Sequence, residues 1–547
     1  MAHRPVPAPA RSRGQDRRRT VPSHRSAAGA GWLTVPRFLT ASGLLVAMLA
    51  VPPAITDPDF WWHLRTGATL LRTHRLIATD PYTFTAVHHH WVLQEWLTEL
   101  GYAALSGGGA RAALVVGFEL VALFMLAAIL LRARLLHPVG AVSLGLGAVV
   151  TMLAGAPVWG PRPQMETYLL LAVTLWLAER QLRRGGRAAL WLPPIFLLWS
   201  NLEAGWVLGL GLLLVVLAVE GARRWAGGRA GPAARDLRRL ASATLFALLA
   251  ILVNPNGPQI LVYPFQTQFD TVQQRLIQEW HSPDFHLVAL WPFLALLLSL
   301  FVLLLRYRRC SLRDTALLLL VTPLALQSVR QTAVFAVVAA PVWIAQLDGA
   351  VTELAGRRRR PRTLRRPPLA VRLAAGLELG AILAVLATRV AAAAVPAGGS
   401  AFYVPRFPVC AAHWLSRAPG RLRLFNLYQD GGYLIDHLPE DRVFVFGDAA
   451  LMGNGVLLRF AAVAGLAPGW LGELDRSRTQ LVVYERGTPL AQALGQVRGW
   501  PLVYHDRRMD VFARADSPAR LHLPATPTAA GWRRAGLAAC IAERPAR

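Results

Sequence analysis

The sequence predicts a polytopic α-helical membrane protein with a small extracytoplasmic α/β domain at its C-terminal end. Of the 547 residues, 54% are hydrophobic and only 16% are charged, whereas soluble proteins carry about 25% charged residues. About eleven apolar runs have a length typical of helices in a bilayer. After residue 395 the pattern changes to short β-rich runs that alternate with helical stretches. These observations exclude a soluble single-domain enzyme.

The predicted transmembrane domain covers 34–395. A helix needs about 20 largely apolar residues to cross the bilayer core. The runs that meet or approach this length are 34–54, 112–131, 138–156, 165–179, 188–200, 204–221, 237–253, 287–305, 314–327, 331–347 and 369–390. Several of them are short, so tilted, broken or paired helices are expected.

The distribution of arginine predicts the orientation. The sequence contains no lysine, and its formal net charge is +27. Cytoplasmic loops of membrane proteins are enriched in basic residues, so we expect the arginine-rich tail 1–33 to be cytoplasmic. Threading the chain alternately from there keeps every arginine-rich hairpin inside and places the region after about residue 391 outside. The charge is therefore explained by orientation in a bacterial cytoplasmic (inner) membrane and by contact with its lipids, and no nucleic-acid partner is expected.

The region 396–515 is predicted to be the extracytoplasmic domain. Strand-like runs such as LRLFNL and QLVVYE alternate with helical ones, which favours a mainly parallel sheet, and PLVYHDRRMDVFAR is typical of a closing hairpin. Gly431 and Gly432 are interpreted as turn glycines. The Pro/Ala/Arg-rich tail 516–547 is expected to be poorly ordered. The three cysteines are far apart in the sequence and indicate neither a zinc site nor a disulfide.

The long first outer loop, 55–111, opens with two carboxylates in the segment Asp57-Pro58-Asp59. Such a pair can hold a divalent cation against a phosphate, or one carboxylate can take a proton from an acceptor hydroxyl. A helix stop with an N-cap is the alternative interpretation. The rest of the loop, LIATDPYTFTAVHHHWVLQEWLTELGYAAL, is predicted to form an amphipathic helix lying on the membrane face.

Acidic and arginine residues recur at the later outward helix ends. Arg162 stands in the second outward loop, where the orientation bias disfavours a basic residue. A lipid phosphate is one suitable partner for its guanidinium, and a salt bridge to a nearby carboxylate is the other. A single site at the outer membrane face would gather these residues. The others are Glu166, Glu203, Glu279, His281, Asp284 and Arg330.

The segment Asp57-Pro58-Asp59-Phe60-Trp61-Trp62-His63-Leu64 resembles the acidic segment of oligosaccharyltransferase catalytic subunits. With the many spans and the outer domain, this pattern resembles the C-type (GT-C) membrane glycosyltransferase superfamily. Over nearly its full length, the chain also resembles a group of bacterial multi-pass membrane proteins that share DPDFWWHL, RPQ and EWHSPDF elements. The resemblance implies a GT-C-like fold.

The resemblance also implies a reaction, in which a hexosyl or pentosyl group moves from a polyprenyl-phosphate donor to an extracytoplasmic glycan or protein acceptor during envelope assembly. It makes Asp57, Asp59 and Glu166 the catalytic candidates, with Asp57 and Asp59 as ligands if a divalent cation (Mg or Mn) is used; no other cofactor is expected. The implied substrate-binding residues are Trp61, Trp62, His63, Arg65, Arg162, Glu203, Glu279, His281, Asp284 and Arg330.

Two other functions fit the same pattern. A transporter or flippase of lipid-linked glycans would also place arginine and acidic residues near the membrane interface, but it predicts internal repeats, which the sequence does not show clearly. A non-catalytic envelope assembly or sensor protein would leave Asp57 and Asp59 dispensable.

Overall fold

The computed structural model describes residues 41–43, 45–46, 48–49, 55–106, 111–227, 231–307, 309–357, 369–394, 406–537 and 540. The predicted cytoplasmic tail 1–33 lies outside these residues. Most of the first predicted span, 34–54, and the arginine-rich segment 358–368 also lie outside them.

The predicted spans that follow the first one coincide with helices. Two shorter helices, α1 (Phe60–Thr73) and α2 (Trp96–Ser106), belong to the first outer loop. The helices that match the later runs are α3 (Arg111–Leu136), α4 (Ala141–Gly155), α5 (Gln164–Arg184), α6 (Leu192–Leu202), α7 (Trp206–Trp225), α8 (Ala234–Ile251), α11 (Trp291–Tyr307), α12 (Leu312–Gln327), α13 (Thr332–Arg357) and α14 (Leu369–Ala394). Between α8 and α11 lie α9 (Gln259–Gln268) and α10 (Thr271–Leu276).

Among the described residues, five helical segments are long and apolar enough to cross a membrane. They begin at Val116, Ala141, Trp206, Val288 and Val329. The predicted number of about eleven spans is therefore not confirmed. Length is one reason, because α6 has 11 residues and α12 has 16, fewer than a straight crossing of the bilayer core requires.

Buried ion pairs join several helices of the membrane domain. The Arg313 guanidinium on α12 contacts Glu179 of α5 at 2.6 Å and Glu220 of α7 at 3.0 Å. Arg132 of α3 contacts Asp314 of α12 at 2.7 Å. Charges inside a membrane domain need such partners because lipid cannot solvate them. These pairs therefore fix how four helices pack.

The C-terminal domain is built on a five-stranded mixed sheet. Its strands are β1 (Arg423–Asn426), β2 (Arg442–Val443), β3 (Leu481–Glu485), β4 (Leu502–His505) and β5 (Met509–Ala513), in the order β2-β1-β3-β5-β4. Strand β1 pairs in parallel with β2 and β3, while β5 pairs antiparallel with β3 and β4. The predicted α/β class and the predicted final hairpin are thus both found. The predicted mainly parallel sheet is not, because β5 pairs antiparallel with both of its neighbours.

Helices connect and cover this sheet. They are α15 (Val409–Leu415), α16 (Gly431–His437), α17 (Ala449–Ala464), α18 (Trp470–Arg476), α19 (Pro489–Gly495) and α20 (Ala529–Arg534).

A disulfide joins Cys410 at the start of the C-terminal domain to Cys540 in the tail. The interpretation of the cysteines as unpaired was wrong, because a separation of 130 residues in sequence becomes a Cα–Cα distance of 5.5 Å in the fold. Trp532 of α20 is 3% exposed. Trp532 and the disulfide therefore attach the tail to the domain, unlike the expected poorly ordered segment.

The first outer loop is tied to the C-terminal domain. Its residue Thr83 forms a parallel bridge with Val443, and the backbone N–H of Val443 donates to the Tyr82 carbonyl at 3.2 Å. The loop thereby covers β2, the strand at one end of the sheet, whose backbone groups would otherwise be unpaired. The Trp91 indole N–H donates to the Asp448 carboxylate at 2.8 Å. These contacts bring the loop and the domain together around one space.

Candidate active site

A cavity of about 880 Å³ lies between the membrane domain and the C-terminal domain. Ligand pockets are commonly of this size. Its walls come from the first outer loop, the N-terminal ends of α5 and α7, the C-terminal end of α12, the segment 263–280 and the C-terminal domain. The polar and aromatic residues in its lining include Asp59, Trp62, His63, Glu95, Glu99, Arg162, Glu203, Glu279, Trp280, Arg330, Tyr428 and Asp448. Most of the residues predicted from sequence therefore do meet in space.

Asp59 has the N-cap position of α1, but its side chain makes no capping hydrogen bond. Its carboxylate instead accepts a hydrogen bond from the Trp62 indole N–H at 3.2 Å and lines the cavity. Burial raises the pKa of Asp59 from 3.8 to about 7, and the negative charge of Asp57 adds to the shift. Asp59 is thus able to exchange a proton near neutral pH, which the N-cap interpretation does not require.

Asp57 is held by an arginine. Its Oδ2 atom lies 2.7 Å from Nε of Arg162, and its Oδ1 atom accepts the backbone N–H of Asp59 at 2.9 Å. Nη2 of Arg162 donates to Glu279 at 2.7 Å. One guanidinium therefore joins three separate segments of the chain, and of the two partners predicted for Arg162, the carboxylate is the one present.

Arg330 stands in a short 3₁₀ turn, Val329–Gln331, before α13. Its nearest carboxylate is Glu203, at 3.9 Å, and its side chain is 25% exposed. The guanidinium lies 5.8 Å from the centre of the Trp280 ring. In contrast to Arg162, Arg330 is only loosely paired and has room to bind an added anion.

Glu203 and Glu166 form a polar layer beside the cavity. Glu203 accepts hydrogen bonds from the Thr167 hydroxyl and the Gly205 backbone N–H. Glu166 accepts a hydrogen bond from the Thr98 hydroxyl at 2.6 Å. Glu203 lines the cavity, whereas Glu166 is not among its lining residues. The structure thus places Glu166 behind the wall rather than in the space that a substrate would occupy.

Two glutamates that sequence reasoning missed flank the predicted residue His63. His63 Nδ1 lies 3.1 Å from Glu99, and Nε2 lies 3.2 Å from Glu95. Helices α1 and α2 cross closely at Gly67, where an added Cβ would lie 1.8 Å from the Glu99 carbonyl oxygen. Burial raises the pKa of both glutamates well above its usual range.

The spacing of Glu95 and Glu99 offered a signal for this cluster. Residues four apart share one face of a helix, and Glu99 is 0% exposed. The predicted amphipathic helix forms only over Trp96–Ser106, because the preceding stretch folds back on itself through an antiparallel bridge between Thr79 and His90. A helix lying on the membrane face would also direct these carboxylates toward water. They are instead buried against α1, where they hold the His63 side chain.

Four predicted substrate-binding residues are not among the lining residues of the cavity. Trp61 is buried against the C-terminal domain, with its ring centre 5.0 Å from that of Tyr433. Asp284 contacts the exposed His286 at 2.7 Å, and His281 contacts the backbone oxygen of Arg275 at 3.1 Å. The fourth is Arg65.

Trp61 and His281 support the structure around the cavity instead. Trp62 faces the cavity and Trp61 does not, because neighbouring side chains on a helix point about 100° apart. The His281 backbone oxygen accepts the N–H of Val329 at 2.9 Å, so the EWHSPDF element supports the turn that carries Arg330.

Close approach, rather than turn geometry, explains the glycines of the QDGG segment. Gly431 has an ordinary helical φ of −57°, so the interpretation of a turn glycine was wrong there. An added Cβ on Gly431 would lie 2.2 Å from the Val445 carbonyl oxygen, and one on Gly432 would lie 2.5 Å from that of Pro58. Both positions bring α16 close to its neighbours without side-chain clashes.

The predicted divalent cation at Asp57 and Asp59 fits these donors poorly. Mg²⁺ and Mn²⁺ need several free oxygen ligands, but both oxygens of Asp57 already have partners. Within the described residues, no group of three or more His, Cys, Asp or Glu side chains is arranged to hold a metal ion. Asp57, one of the two predicted metal ligands, is therefore already neutralised by Arg162.

Comparison with known proteins identifies the fold. No protein-family model and no curated protein sequence matches the chain. The archaeal oligosaccharyltransferase AglB from Archaeoglobus fulgidus, in complex with an inhibitory peptide and a dolichol-phosphate, matches with a TM-score of 0.52 and 13% sequence identity over 88% of this chain and 75% of AglB. The A. fulgidus oligosaccharyltransferase tethered to an acceptor peptide gives 0.53 and 12% over 88% and 74%.

At these identities the likeness establishes the fold alone. The chain has the fold of the C-type membrane glycosyltransferases, with a membrane domain and a C-terminal α/β domain. This confirms the predicted GT-C-like fold. The more specific resemblance to a group of bacterial membrane proteins stays a prediction.

Proposed function

We propose that the protein is a membrane glycosyltransferase that moves a sugar from a polyprenyl-phosphate donor to an extracytoplasmic glycan or protein acceptor. The observation that carries the proposal is the single cavity that contains both Asp59, a carboxylate with a pKa of about 7, and Arg330, a loosely paired cation. A sugar transfer needs one group to accept a proton and another to stabilise a phosphate leaving group. Nothing in this chemistry requires a nucleotide.

Arg330 binds the donor phosphate in this proposal. Its guanidinium offers a planar set of donors that matches phosphate oxygens, and Glu203 at 3.9 Å holds it without a short ion pair. Trp280 beside it supplies an aromatic surface for the sugar or the prenyl chain. Apolar cavity residues near the ends of α7 and α12, among them Val207, Leu208 and Leu324, offer a path for the lipid.

Asp59 is the general base. It takes the proton of the acceptor hydroxyl while the hydroxyl oxygen attacks the anomeric carbon of the donor sugar. The bond between that carbon and the phosphate oxygen breaks, and the polyprenyl phosphate leaves with the electron pair next to Arg330. Attack from the face opposite the leaving group inverts the anomeric configuration. Asp57 is less suited to this role because Arg162 already binds its carboxylate.

The C-terminal domain forms the acceptor side of the cavity. Tyr428 and Asp448 reach the lining from this domain, and an acceptor sugar or peptide would enter between them and the first outer loop. Glu166 and the His63 cluster have positioning roles, since they brace the loop and the end of α5. We place the cavity on the extracytoplasmic side of a bacterial cytoplasmic membrane, which the Cys410–Cys540 disulfide supports because disulfides persist in oxidising compartments.

The test is transfer of radiolabelled sugar by the purified protein in nanodiscs from a panel of polyprenyl-phosphate donors. The variant Asp59→Asn keeps the size and the hydrogen-bond capacity of the side chain but cannot act as a base. We expect its transfer rate to fall by about 100-fold or more, with donor binding retained. The matched control is Glu440→Gln, which changes a 72% exposed carboxylate of the C-terminal domain outside the cavity.

Full transfer by Asp59→Asn would contradict the proposed base. Donor binding without any transfer, unaffected by Asp59→Asn, would favour the transporter or the assembly-protein function instead.

A further inference from the structure

Arg162 has an unusual position for a membrane-face arginine, because it is enclosed by carboxylates from two other segments. Nε lies 2.7 Å from Asp57 of the first outer loop, and Nη2 lies 2.7 Å from Glu279 of the turn before α11. The side chains of Arg162 and Asp57 are 13% and 8% exposed. The backbone around Arg162 is fixed as well, since its N–H donates to Gly160 and its carbonyl accepts the N–H of Met165.

The charges around this position resemble the surroundings of a bound cation. Asp57 and Glu279 come from two segments distant in sequence, and each lies 2.7 Å from a nitrogen of the same guanidinium. These two carboxylates, with side chains 8% and 38% exposed, would repel each other in the absence of a cation. A cation is therefore required between them, and the Arg162 guanidinium is the one that the structure supplies.

We propose that Arg162 is the resident cation of this site and that the protein binds no divalent metal ion at Asp57, Asp59 and Glu279. The catalytic consequence of this inference rests on the proposed function. The guanidinium neutralises Asp57 and Glu279, sets the position of the Asp57-Pro58-Asp59 segment and leaves Asp59 to act as the base. Arg162 is thus a positioning residue, and sugar transfer proceeds without added metal.

The physical reason is competition for oxygen atoms. A divalent cation would have to replace Arg162 on both Asp57 and Glu279, and two positive groups cannot share these carboxylates at hydrogen-bond distance. Removal of the guanidinium is expected to have the opposite effect. Asp57 and Glu279 then lack their cation, and their oxygens are of the kind that Mg²⁺ and Mn²⁺ prefer as ligands.

The experiment measures Mn²⁺ binding to the purified full-length protein in nanodiscs by the electron paramagnetic resonance signal of free Mn²⁺. We expect no saturable binding by the wild type. We expect Arg162→Gln to take up one Mn²⁺, and Arg162→Gln with Asp57→Asn to bind it at least about tenfold more weakly, as expected when one ligand is lost. Arg421→Ala, which removes a 73% exposed arginine of the C-terminal domain, is the matched control and binds no Mn²⁺.

Two results would overturn the inference. One is a wild-type protein that binds one Mn²⁺ that Asp57→Asn removes. The other is an Arg162→Gln protein that binds no more Mn²⁺ than the wild type. If Arg162→Gln does not fold, Arg162→Lys serves in its place with the opposite expectation, no Mn²⁺ binding, and the wild-type measurement with Asp57→Asn still decides.

The metal measurement is independent of the transferase assay. A protein that transfers no sugar still gives a clear Mn²⁺ result, so failure of the proposed function and failure of this inference are distinct. Where transfer is observed, we expect the same rate in EDTA as in Mn²⁺. Loss of transfer in EDTA with recovery on addition of Mn²⁺ would also overturn the inference.

Discussion

Gly447 of the C-terminal domain is in direct contact with Asp59 of the first outer loop. A Cβ atom added to Gly447 would lie 1.6 Å from Oδ1 of Asp59, a distance that no pair of non-bonded heavy atoms adopts. The absence of a side chain at Gly447 therefore lets the C-terminal domain close onto the carboxylate. Two regions almost 400 residues apart build one wall of the cavity, and the position of Asp59 depends on both.

We expect Gly447→Ala to displace the Asp59 carboxylate and to reduce sugar transfer by about tenfold or more, because small errors in the position of a reacting group are costly. The measurement is the transfer rate at saturating donor, with folding checked by thermal unfolding. Gly455→Ala is the control, since a Cβ there meets no atom within 4 Å. Equal rates for the two variants would show that Asp59 need not stay in place.

The pH dependence of transfer reports on Asp59. A base must be ionised, and burial together with the charge of Asp57 raises the pKa of Asp59 to about 7. The transfer rate should therefore rise as the pH increases through about 7 and level off above it. The residual rate of Asp59→Asn should lack this rise. A wild-type profile that is flat between pH 5.5 and pH 8.5, roughly the interval around that pKa, would contradict the assignment.

The same shift affects stability with the opposite sign. The folded protein holds the Asp59 proton up to about pH 7, whereas the unfolded chain releases it near the ordinary value of 3.8. The free energy of unfolding should therefore decrease as the pH rises between these two values. Because asparagine carries no charge, Asp59→Asn should unfold at a higher temperature than the wild type at pH 8. A lower unfolding temperature at that pH would contradict the prediction.

Arg330 should control donor affinity. We expect Arg330→Ala to raise the KM for the polyprenyl-phosphate donor by about tenfold or more, since hydrogen bonds to charged groups contribute about 1.5–3 kcal/mol. Arg330→Lys should restore part of this affinity, because lysine keeps the charge but loses the planar set of donors. Arg421→Ala should leave KM unchanged. An unchanged KM in Arg330→Ala would exclude Arg330 as the phosphate ligand.

The disulfide should stabilise the C-terminal domain. Cys540→Ser opens a loop of 130 residues, and we expect the free energy of unfolding to fall by about 2–4 kcal/mol. Treatment of the wild type with a reductant should have the same effect, while Cys310→Ser, which changes an unpaired cysteine, should not. Denaturant unfolding followed by tryptophan fluorescence measures the difference. Equal stability of the oxidised and reduced proteins would show that the disulfide does not stabilise the domain.

Local patterns in the sequence were sufficient for much of the fold. The apolar runs after the first match helices, and the alternation of strands and helices after residue 395 predicts the α/β domain with its closing hairpin. Hydrophobic length and residue periodicity act over a few turns of chain, so these features need no knowledge of distant contacts. The DPD segment and the outward arginines were found in the same way, because ionisable residues at helix ends stand out against lipid-facing sequence.

Which of those residues share a space was decided by the tertiary structure. Asp57 and Asp59 look alike in sequence, but only Asp57 receives the Arg162 guanidinium. His281 and Asp284 are close to Glu279 in sequence, yet they lie outside the cavity. Glu95, just before α2, and Glu99, in the first turn of α2, line it.

The sequence by itself determined the apolar helical runs, the α/β domain and the resemblance to C-type glycosyltransferases. Only the tertiary structure decided the partners, because ion pairs such as Arg162 with Glu279 and the disulfide between Cys410 and Cys540 join residues more than 100 positions apart. Hydropathy and helical periodicity depend on neighbouring residues. Ion pairing, burial and close approach at glycine depend on distances that exist only after the chain has folded.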